Sequence, residues 1–126
     1  GLNVLTDEEI PVFVAGSTRR DYTVVRDIVW GIISALSYQD SDYEIMNLGA
    51  GRTISLREMI ASIEEVLGKK AKINRLPEQP GDVPLTYADI TKARELLGYG
   101  PQMEFIDGIH AFKDWYLERE IYKLPI

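Results

Sequence analysis

The hydrophobic and polar positions of this chain switch between strand-like and helical spacing several times. The β-rich run at residues 10–14 gives way to a Gly-Ser-Thr turn, which predicts a strand followed by a turn. Helical spacing follows over residues 25–36 and predicts a first helix. The apolar positions of this helix are Ile28, Val29, Ile32, Ile33 and Leu36. Residues 43–48 then alternate in character, which predicts a second strand.

A capping box opens the next predicted helix. Ser55 and Glu58 have the required spacing, in which the hydroxyl and the carboxylate each accept a free amide N–H of the first turn. Gly68 has the position of a left-handed C-terminal cap. The apolar stripe between them consists of Met59, Ile60, Ile63, Val66 and Leu67. This spacing predicts an amphipathic helix with one buried side.

The rest of the pattern predicts a strand, a loop and two helices. Residues 71–76 have strand-like composition, and the prolines of residues 77–84 predict a loop after them. A short helix is predicted over residues 89–97, with its first residue, an aspartate, as the cap, and a last helix over about residues 105–121. The whole pattern favours a small mixed α/β fold of short strands and about four helices, forming one domain over residues 1–126.

Composition and charge narrow the classes of function. A chain of 126 residues fits one domain and is too short for a dinucleotide-binding domain plus a substrate domain. The 14 Lys and Arg against 20 Asp and Glu give a net charge of -6, which disfavours broad contact with nucleic acid or anionic membranes. The lack of cysteine and the single histidine exclude thiolate and multi-histidine metal sites. No apolar stretch is long enough to span a bilayer, and the cytoplasm is the expected location.

One loop has the layout of a dinucleotide-binding turn but not its full sequence. Residues 49–51 read Gly-Ala-Gly between the predicted strand and the helix that Ser55 caps. A dinucleotide fingerprint has glycine or alanine at its sixth position, so that the helix can pack closely on the strand. That position is Ile54 here. The pattern therefore favours a strand-to-helix turn that binds no cofactor.

No set of residues has the spacing of a catalytic centre. A tyrosine that acts as an acid or base needs a nearby cation to lower its pKa, as a lysine four residues later would provide. None of the seven tyrosines has that neighbour. His110 lies among Ile109 and Phe112 on a predicted helix, without the context of a nucleophile, which favours a packing or surface role. We predict that this chain contains no catalytic residue.

Anion recognition is the chemistry that the residues favour most. Arg19 and Arg20 follow the Gly-Ser-Thr turn, and Arg26 lies shortly after them. Guanidinium groups make planar, two-pronged hydrogen bonds to phosphate oxygens, although Arg20 could equally form a structural ion pair with Asp21. Asp82 follows a Pro-Gly pair and could accept a sugar hydroxyl or simply stabilise a turn through nearby amides.

Two motifs about sixty residues apart, at residues 16–29 and 79–90, together resemble a known family. They are similar to the C-terminal, substrate-holding part of NAD-dependent nucleotide-sugar epimerases and dehydratases, the extended short-chain dehydrogenase/reductases. The run from Tyr43 to Gly49 resembles the Tyr-x-x-x-Asn-Leu-Gly segment of that family, and residues 92–99 resemble its typical ending. The resemblance extends from about residue 10 to residue 116.

The resemblance implies roles for four residues. Arg20 matches the diphosphate-binding arginine, and Asp82 matches an acidic residue near the nucleotide ribose. Phe13 lies where main-chain groups of the family meet the base. Gln79 stands where galactose-type epimerases carry a second phosphate-binding arginine, and its Gln-Pro-Gly-Asp-Val-Pro context is more similar to UDP-glucuronate 4-epimerases.

The resemblance further implies that the chain is the donor-binding portion of a UDP-sugar 4-epimerase and is inactive alone. NAD would be bound by an N-terminal Rossmann half that this sequence lacks. The chain itself would bind no cofactor. The partners would be a nucleotide-diphospho-sugar, that half, and a homodimer formed through uncovered apolar surface. A sugar-nucleotide 4,6-dehydratase or decarboxylase is an alternative. So is a stand-alone binding module, because Arg26 departs from the acidic residue usual there.

Overall fold

The chain folds as short strands interspersed with helices. The computed structural model describes residues 2–122. The strands are β1 (Glu9–Phe13), β2 (Arg19–Arg20), β3 (Ile54–Ser55) and β4 (Lys72–Leu76). The helices are α1 (Leu2–Leu5), α2 (Val25–Leu36), α3 (Leu56–Leu67), α4 (Thr91–Leu97) and α5 (Phe105–Tyr122). The mixed α/β class is confirmed, and the one-turn helix α1 and the two-residue strands β2 and β3 are additions to the predicted pattern.

β1 and β4 pair in parallel although they are far apart in the chain. Phe13 lies opposite Leu76 at the end of both strands. The carboxyl ends of parallel strands lie at the same edge, so the segments that follow, residues 14–20 and 77–84, leave the pair on the same side. Both segments carry predicted site residues.

The predicted capping box at the start of α3 is confirmed. The Glu58 amide donates to the Ser55 hydroxyl oxygen at 3.1 Å, and the Ser55 amide donates to the Glu58 carboxylate at 2.7 Å. The Ser55 amide thereby lowers the pKa of the Glu58 carboxyl, and the Ser55 hydroxyl adds to the effect. Gly68 ends the helix in the left-handed conformation, with φ 65°. The residues of α3 that are buried are Ile60, Ile63 and Val66.

Tyr99 is the centre of a small apolar cluster. It is fully buried with Ile90 and Ala93, and its hydroxyl donates to the Gly49 carbonyl at 2.8 Å. Burial raises the pKa of the Tyr99 phenol, so the hydroxyl stays a neutral donor. The partly buried residues packed against the cluster are Met46, Leu48, Ala88 and Leu97.

The predicted strand at residues 43–48 is wrong. The segment has the alternation of a strand, with Met46 and Leu48 packed inward while Tyr43 is 79% and Ile45 is 64% exposed. A strand also needs a neighbour for its backbone groups, and within residues 2–122 no other strand lies beside it. The alternation that the sequence indicates is present, but the segment lacks the pairing that defines a strand in the described part of the chain.

α2 has its predicted bounds, but its apolar side faces outward. Asp27 and Gly31 are the buried residues of this helix. Of the stripe that the sequence would place in a core, Ile28 is half-buried, whereas four members and the neighbouring Val25 are exposed. The four exposed members are Val29, Ile32, Ile33 and Leu36. Helical spacing therefore identified the helix but not the direction in which it packs.

The C-terminal helices lie close to their predicted positions. α4 begins at Thr91, whose amide donates to the Asp89 carboxylate at 3.0 Å, and Gly98 ends it with φ 64°. α5 packs on α3, although Phe112 and Trp115 remain partly exposed. None of the helices in the described part of the chain has the length and apolar character needed to cross a bilayer.

We expect Ser55→Ala to lower the free energy of unfolding by about 1 kcal/mol, because the Glu58 amide loses its acceptor. Urea denaturation followed by circular dichroism measures this change. Ser62→Ala is the matched control, since the Ser62 hydroxyl donates to the Glu58 carbonyl within the same helix and caps no helix end. The control should change stability by less than about 0.5 kcal/mol. Equal losses in the two variants would contradict the capping role of Ser55.

Candidate functional site

β2 lies between two other segments of the chain. It pairs antiparallel with β3 on one side. On the other side, the Arg19 amide donates to the Pro84 carbonyl at 2.9 Å, and the Thr86 amide donates to the Arg19 carbonyl at 3.1 Å. The two motifs identified in the sequence, residues 16–29 and 79–90, are therefore held side by side.

Arg20 and Asp82 form an ion pair at this junction. Nη2 of Arg20 lies 2.7 Å from Oδ1 of Asp82, and Nη1 of Arg20 donates to the Arg19 carbonyl at 2.9 Å. The Asp82 amide donates to the Gln79 carbonyl at 3.1 Å, which closes the turn that carries the carboxylate. The two side chains are 27% and 29% exposed, so solvent still reaches the pair.

Neither residue has the structural partner that the sequence suggested for it. Arg20 pairs with Asp82 and not with Asp21, because neighbouring side chains of an extended strand point to opposite faces. The Asp82 carboxylate contacts a guanidinium and not the backbone amides of its own turn.

Arg19 differs from Arg20 in that each of its three guanidinium nitrogens contacts a group near the start of α3. Its Nε donates to the Thr53 hydroxyl at 2.9 Å and its Nη2 to the Thr53 carbonyl at 2.8 Å. Its Nη1 lies 3.3 Å from the Glu58 carboxylate at the start of α3. The residue pattern alone does not separate the two arginines, whereas the family resemblance selects Arg20. The structure assigns Arg19 to positioning β2 and leaves Arg20 as the arginine that faces the second motif.

Asp21 organises the Gly-Ala-Gly loop. Its carboxylate accepts the amide of Ala50 at 2.8 Å and that of Gly51 at 3.1 Å, together with the Thr23 hydroxyl at 2.9 Å. A Cβ added at Gly49 would lie 2.6 Å from the Ala88 Cβ, so this glycine permits close packing. The amides that a pyrophosphate would need are already donated to a carboxylate.

Asp27 is a second carboxylate that joins distant segments, and unlike Asp21 it is buried. It is 3% exposed and accepts the amides of Gln102 and Met103 at 3.0 and 3.2 Å. These bonds fix the start of α2 against the segment that leads into α5. Sequence reasoning missed the positioning roles of Asp21 and Asp27, because their partners are backbone amides that no side-chain pattern identifies.

The remaining predicted residues lie at the same edge of the fold. Phe13 is half-buried at the end of β1, and Gln79 is exposed in the loop that follows β4. No hydrogen bond or ion pair described within residues 2–122 joins the side chains of these two residues to Arg20. Arg26 is exposed on α2 and likewise has no described bond to that pair.

The pair of Arg20 and Asp82 leaves N–H groups of the guanidinium and one carboxylate oxygen available. Nε of Arg20 and Oδ2 of Asp82 have no hydrogen-bond partner within residues 2–122. A guanidinium binds phosphate oxygens, and a carboxylate accepts bonds from sugar hydroxyls. This edge can therefore bind a molecule that carries both a phosphate and a sugar hydroxyl.

Comparison with known proteins places these features in a family. A family model described as GDP-mannose 4,6 dehydratase matches residues 3–112. An uncharacterised protein of Methanocaldococcus jannaschii is 43% identical over 124 residues, which cover 98% of this chain and 38% of that protein. A UDP-glucuronate 4-epimerase of Thermodesulfobacterium geofontis is 36% identical over 116 residues, covering 91% of this chain and 35% of that protein.

A solved structure supports the same assignment. The UDP-glucuronic acid 4-epimerase of Bacillus cereus, in complex with UDP-glucuronic acid and NAD, is 32% identical, with a TM-score of 0.82. The match covers 92% of this chain and 37% of that enzyme. The chain thus spans less than half the length of these relatives. It belongs to the NAD-dependent epimerase/dehydratase family of extended short-chain dehydrogenase/reductases and corresponds to the C-terminal part of its members.

Proposed function

We propose that this chain is the nucleotide-diphospho-sugar-binding portion of an NAD-dependent UDP-sugar 4-epimerase. The observation that carries this proposal is the accessible pair of Arg20 and Asp82, which sets a phosphate-binding guanidinium beside a hydroxyl-accepting carboxylate. The relatives support the sugar class, because the matched proteins of Thermodesulfobacterium geofontis and Bacillus cereus are described as epimerases of UDP-glucuronate.

Each predicted site residue has a part in this proposal. Arg20 binds the diphosphate, and Asp82 accepts a ribose hydroxyl. The main chain near Phe13 meets the base, and Gln79 contacts the diphosphate as a neutral donor. Binding the charged tail of the donor in this way positions the sugar without touching the carbon that reacts.

The hydride chemistry belongs to polypeptide outside this chain. The Gly-Ala-Gly loop does not fit a dinucleotide, because the amides of Ala50 and Gly51 donate to Asp21. Ile54 also occupies the position where the fingerprint needs a small residue. We propose that the chain alone holds no NAD and turns over no substrate. Homodimer formation in isolation and a cytoplasmic location are parts of the same proposal.

A sugar-nucleotide 4,6-dehydratase is the second candidate. The matching family model is described as GDP-mannose 4,6 dehydratase, and such an enzyme would hold a diphosphate by the same kind of contact. The two candidates differ in the base of the donor, so tighter binding of GDP than of UDP would favour the dehydratase.

We expect Arg20→Gln to weaken UDP binding by roughly 10- to 100-fold, because a charged hydrogen bond to the diphosphate is lost. Isothermal titration calorimetry of the purified chain measures this change. Arg94→Gln is the matched control, since Arg94 is exposed on α4 and the substitution removes the same charge. A similar loss of UDP affinity in both variants would mean that the effect comes from the change in net charge. That result would contradict the proposed site.

Asp82→Asn separates the two halves of the proposed site. Without the carboxylate, Arg20 loses its competing partner and the diphosphate loses a repulsive neighbour, so inorganic pyrophosphate should bind about 5-fold more tightly. UDP should gain less, because its ribose hydroxyl loses an ionic acceptor. Parallel calorimetric titrations with the two ligands test this difference. Weaker pyrophosphate binding would instead mean that Asp82 only holds Arg20 in place.

We expect no binding when NAD is titrated into the chain at concentrations up to about 1 mM, since the loop amides are already satisfied. Protein fluorescence and calorimetry measure this, with UDP as the positive control on the same sample. Tight NAD binding would overturn the assignment of hydride chemistry to other polypeptide.

A further inference from the structure

A cavity of about 180 Å³ lies between the β1–β4 pair and α3, and we name it the rear cavity. Its floor is apolar, because Val12 and Ile60 are buried there and Ile73 lines it from β4. The guanidinium-bearing side chains of Arg57 and Arg75 line the same cavity. An apolar floor combined with a few charged groups is the usual form of a small-molecule site.

The rear cavity is on the opposite face of β1 from the proposed donor site. Successive side chains of a strand point to opposite faces, so Val12 faces α3 while Phe13 faces away from it. Arg75 lies opposite Val12 in the register of the parallel pair and therefore shares its face. The rear cavity is thus a separate site, and neither Arg20 nor Asp82 lines it.

The two arginines of the rear cavity have N–H groups available for a ligand. Nη2 of Arg57 donates to the Ala15 carbonyl at 3.2 Å, which holds this guanidinium at the cavity and leaves its other N–H groups free to donate. Within residues 2–122, the Arg75 side chain has no hydrogen-bond or ion-pair partner. Neither arginine is paired with a carboxylate in that part of the chain, although acidic residues are in excess.

Glu64 also lines the rear cavity, but its charge is balanced by other groups. Its Oε2 lies 2.9 Å from Nζ of Lys70, and its Oε1 accepts the amide of Ala71 at 2.8 Å. Both carboxylate oxygens therefore have partners other than the two arginines. The cavity keeps a local positive charge in a chain whose net charge is -6, and a local field of this sign attracts anions.

We propose that the rear cavity binds a small organic anion, with a phosphate or carboxylate head on Arg57 and Arg75 and a compact apolar body on the floor. Guanidinium groups bind both kinds of head through paired hydrogen bonds. The cavity is smaller than ordinary drug-sized sites, so the body is about the size of one six-membered ring. This site is additional to the proposed function and does not depend on it.

Proton–nitrogen correlation NMR of the purified chain tests the proposal. Phenyl phosphate and benzoate are the probes, because they share one ring and differ in the head. Inorganic phosphate and phenol are the controls, since each lacks one half of the proposed ligand. We expect the better probe to bind with a dissociation constant on the order of 1 mM, and each control to bind at least about 5-fold more weakly. The amides that should shift are those of Val12, Ala15, Gly16, Ala61 and Ile73.

We expect Arg57→Gln and Arg75→Gln each to weaken binding of the better probe by about 5- to 10-fold, because a charged donor is lost from a solvent-exposed site. Both residues are exposed, so the rest of the spectrum should remain that of the folded chain. Arg94→Gln is the matched control, since it removes the same charge from an exposed position on α4 and should leave the affinity unchanged.

The spectrum also separates the rear cavity from the donor site. A phosphate probe that reaches Arg20 shifts amides near β2, and these are followed apart from the amides of the cavity. Arg20→Gln should abolish the first set of shifts and leave the second unchanged. A failure of either site can thus be told apart from a failure of the other. The stronger of the two probes then shows whether the head is a phosphate or a carboxylate.

Three results would overturn the proposal. The first is the lack of any shift at the cavity amides with either probe at concentrations up to about 10 mM. The second is unchanged affinity in both Arg57→Gln and Arg75→Gln, because the cavity would then bind the ring alone. The third is inorganic phosphate that binds the cavity as tightly as phenyl phosphate, because the apolar floor would then contribute nothing.

Discussion

The carboxylate of Asp21 is the interaction on which the arrangement of the site depends. It accepts the amides of Ala50 and Gly51, and at 3.4 Å that of Ala88, so it joins three segments that are far apart in the chain. A buried backbone amide without a partner is costly, and a carboxylate that satisfies several of them holds each in a defined place. Arg20 precedes this aspartate directly, and its approach to Asp82 follows from the same anchoring.

Local features of the fold could be predicted from the sequence because their causes are local. The capping box of Ser55 and Glu58 and the left-handed Gly68 satisfy amides and carbonyls within a few residues, and both are present. The bounds of α2 follow from spacing alone. The proximity of the two site motifs could be expected only from family resemblance, because β2 lies between partners about 35 and 65 residues further along the chain.

The predictions that are wrong concern what surrounds an element rather than the local shape of its backbone. Residues 43–48 have the alternation of a strand, but strand identity depends on a neighbour that the described part of the chain does not provide. The apolar stripe of α2 was expected to face a core, yet Asp27 and Gly31 face inward. Amphipathic patterns show that one side avoids water, and they do not say which polypeptide covers that side.

The contact between Arg20 and Asp82 explains why the sequence alone left two readings open. A ligand site and a structural ion pair use the same residue types, and here the two residues meet in one contact. An ion pair that is about a quarter exposed on each side contributes little stability, because water screens the charges. Little is therefore lost when a diphosphate, which carries more charge than one carboxylate, takes its place. While no ligand is bound, the contact with Asp82 places the guanidinium of Arg20 where solvent, and so a ligand, can reach it.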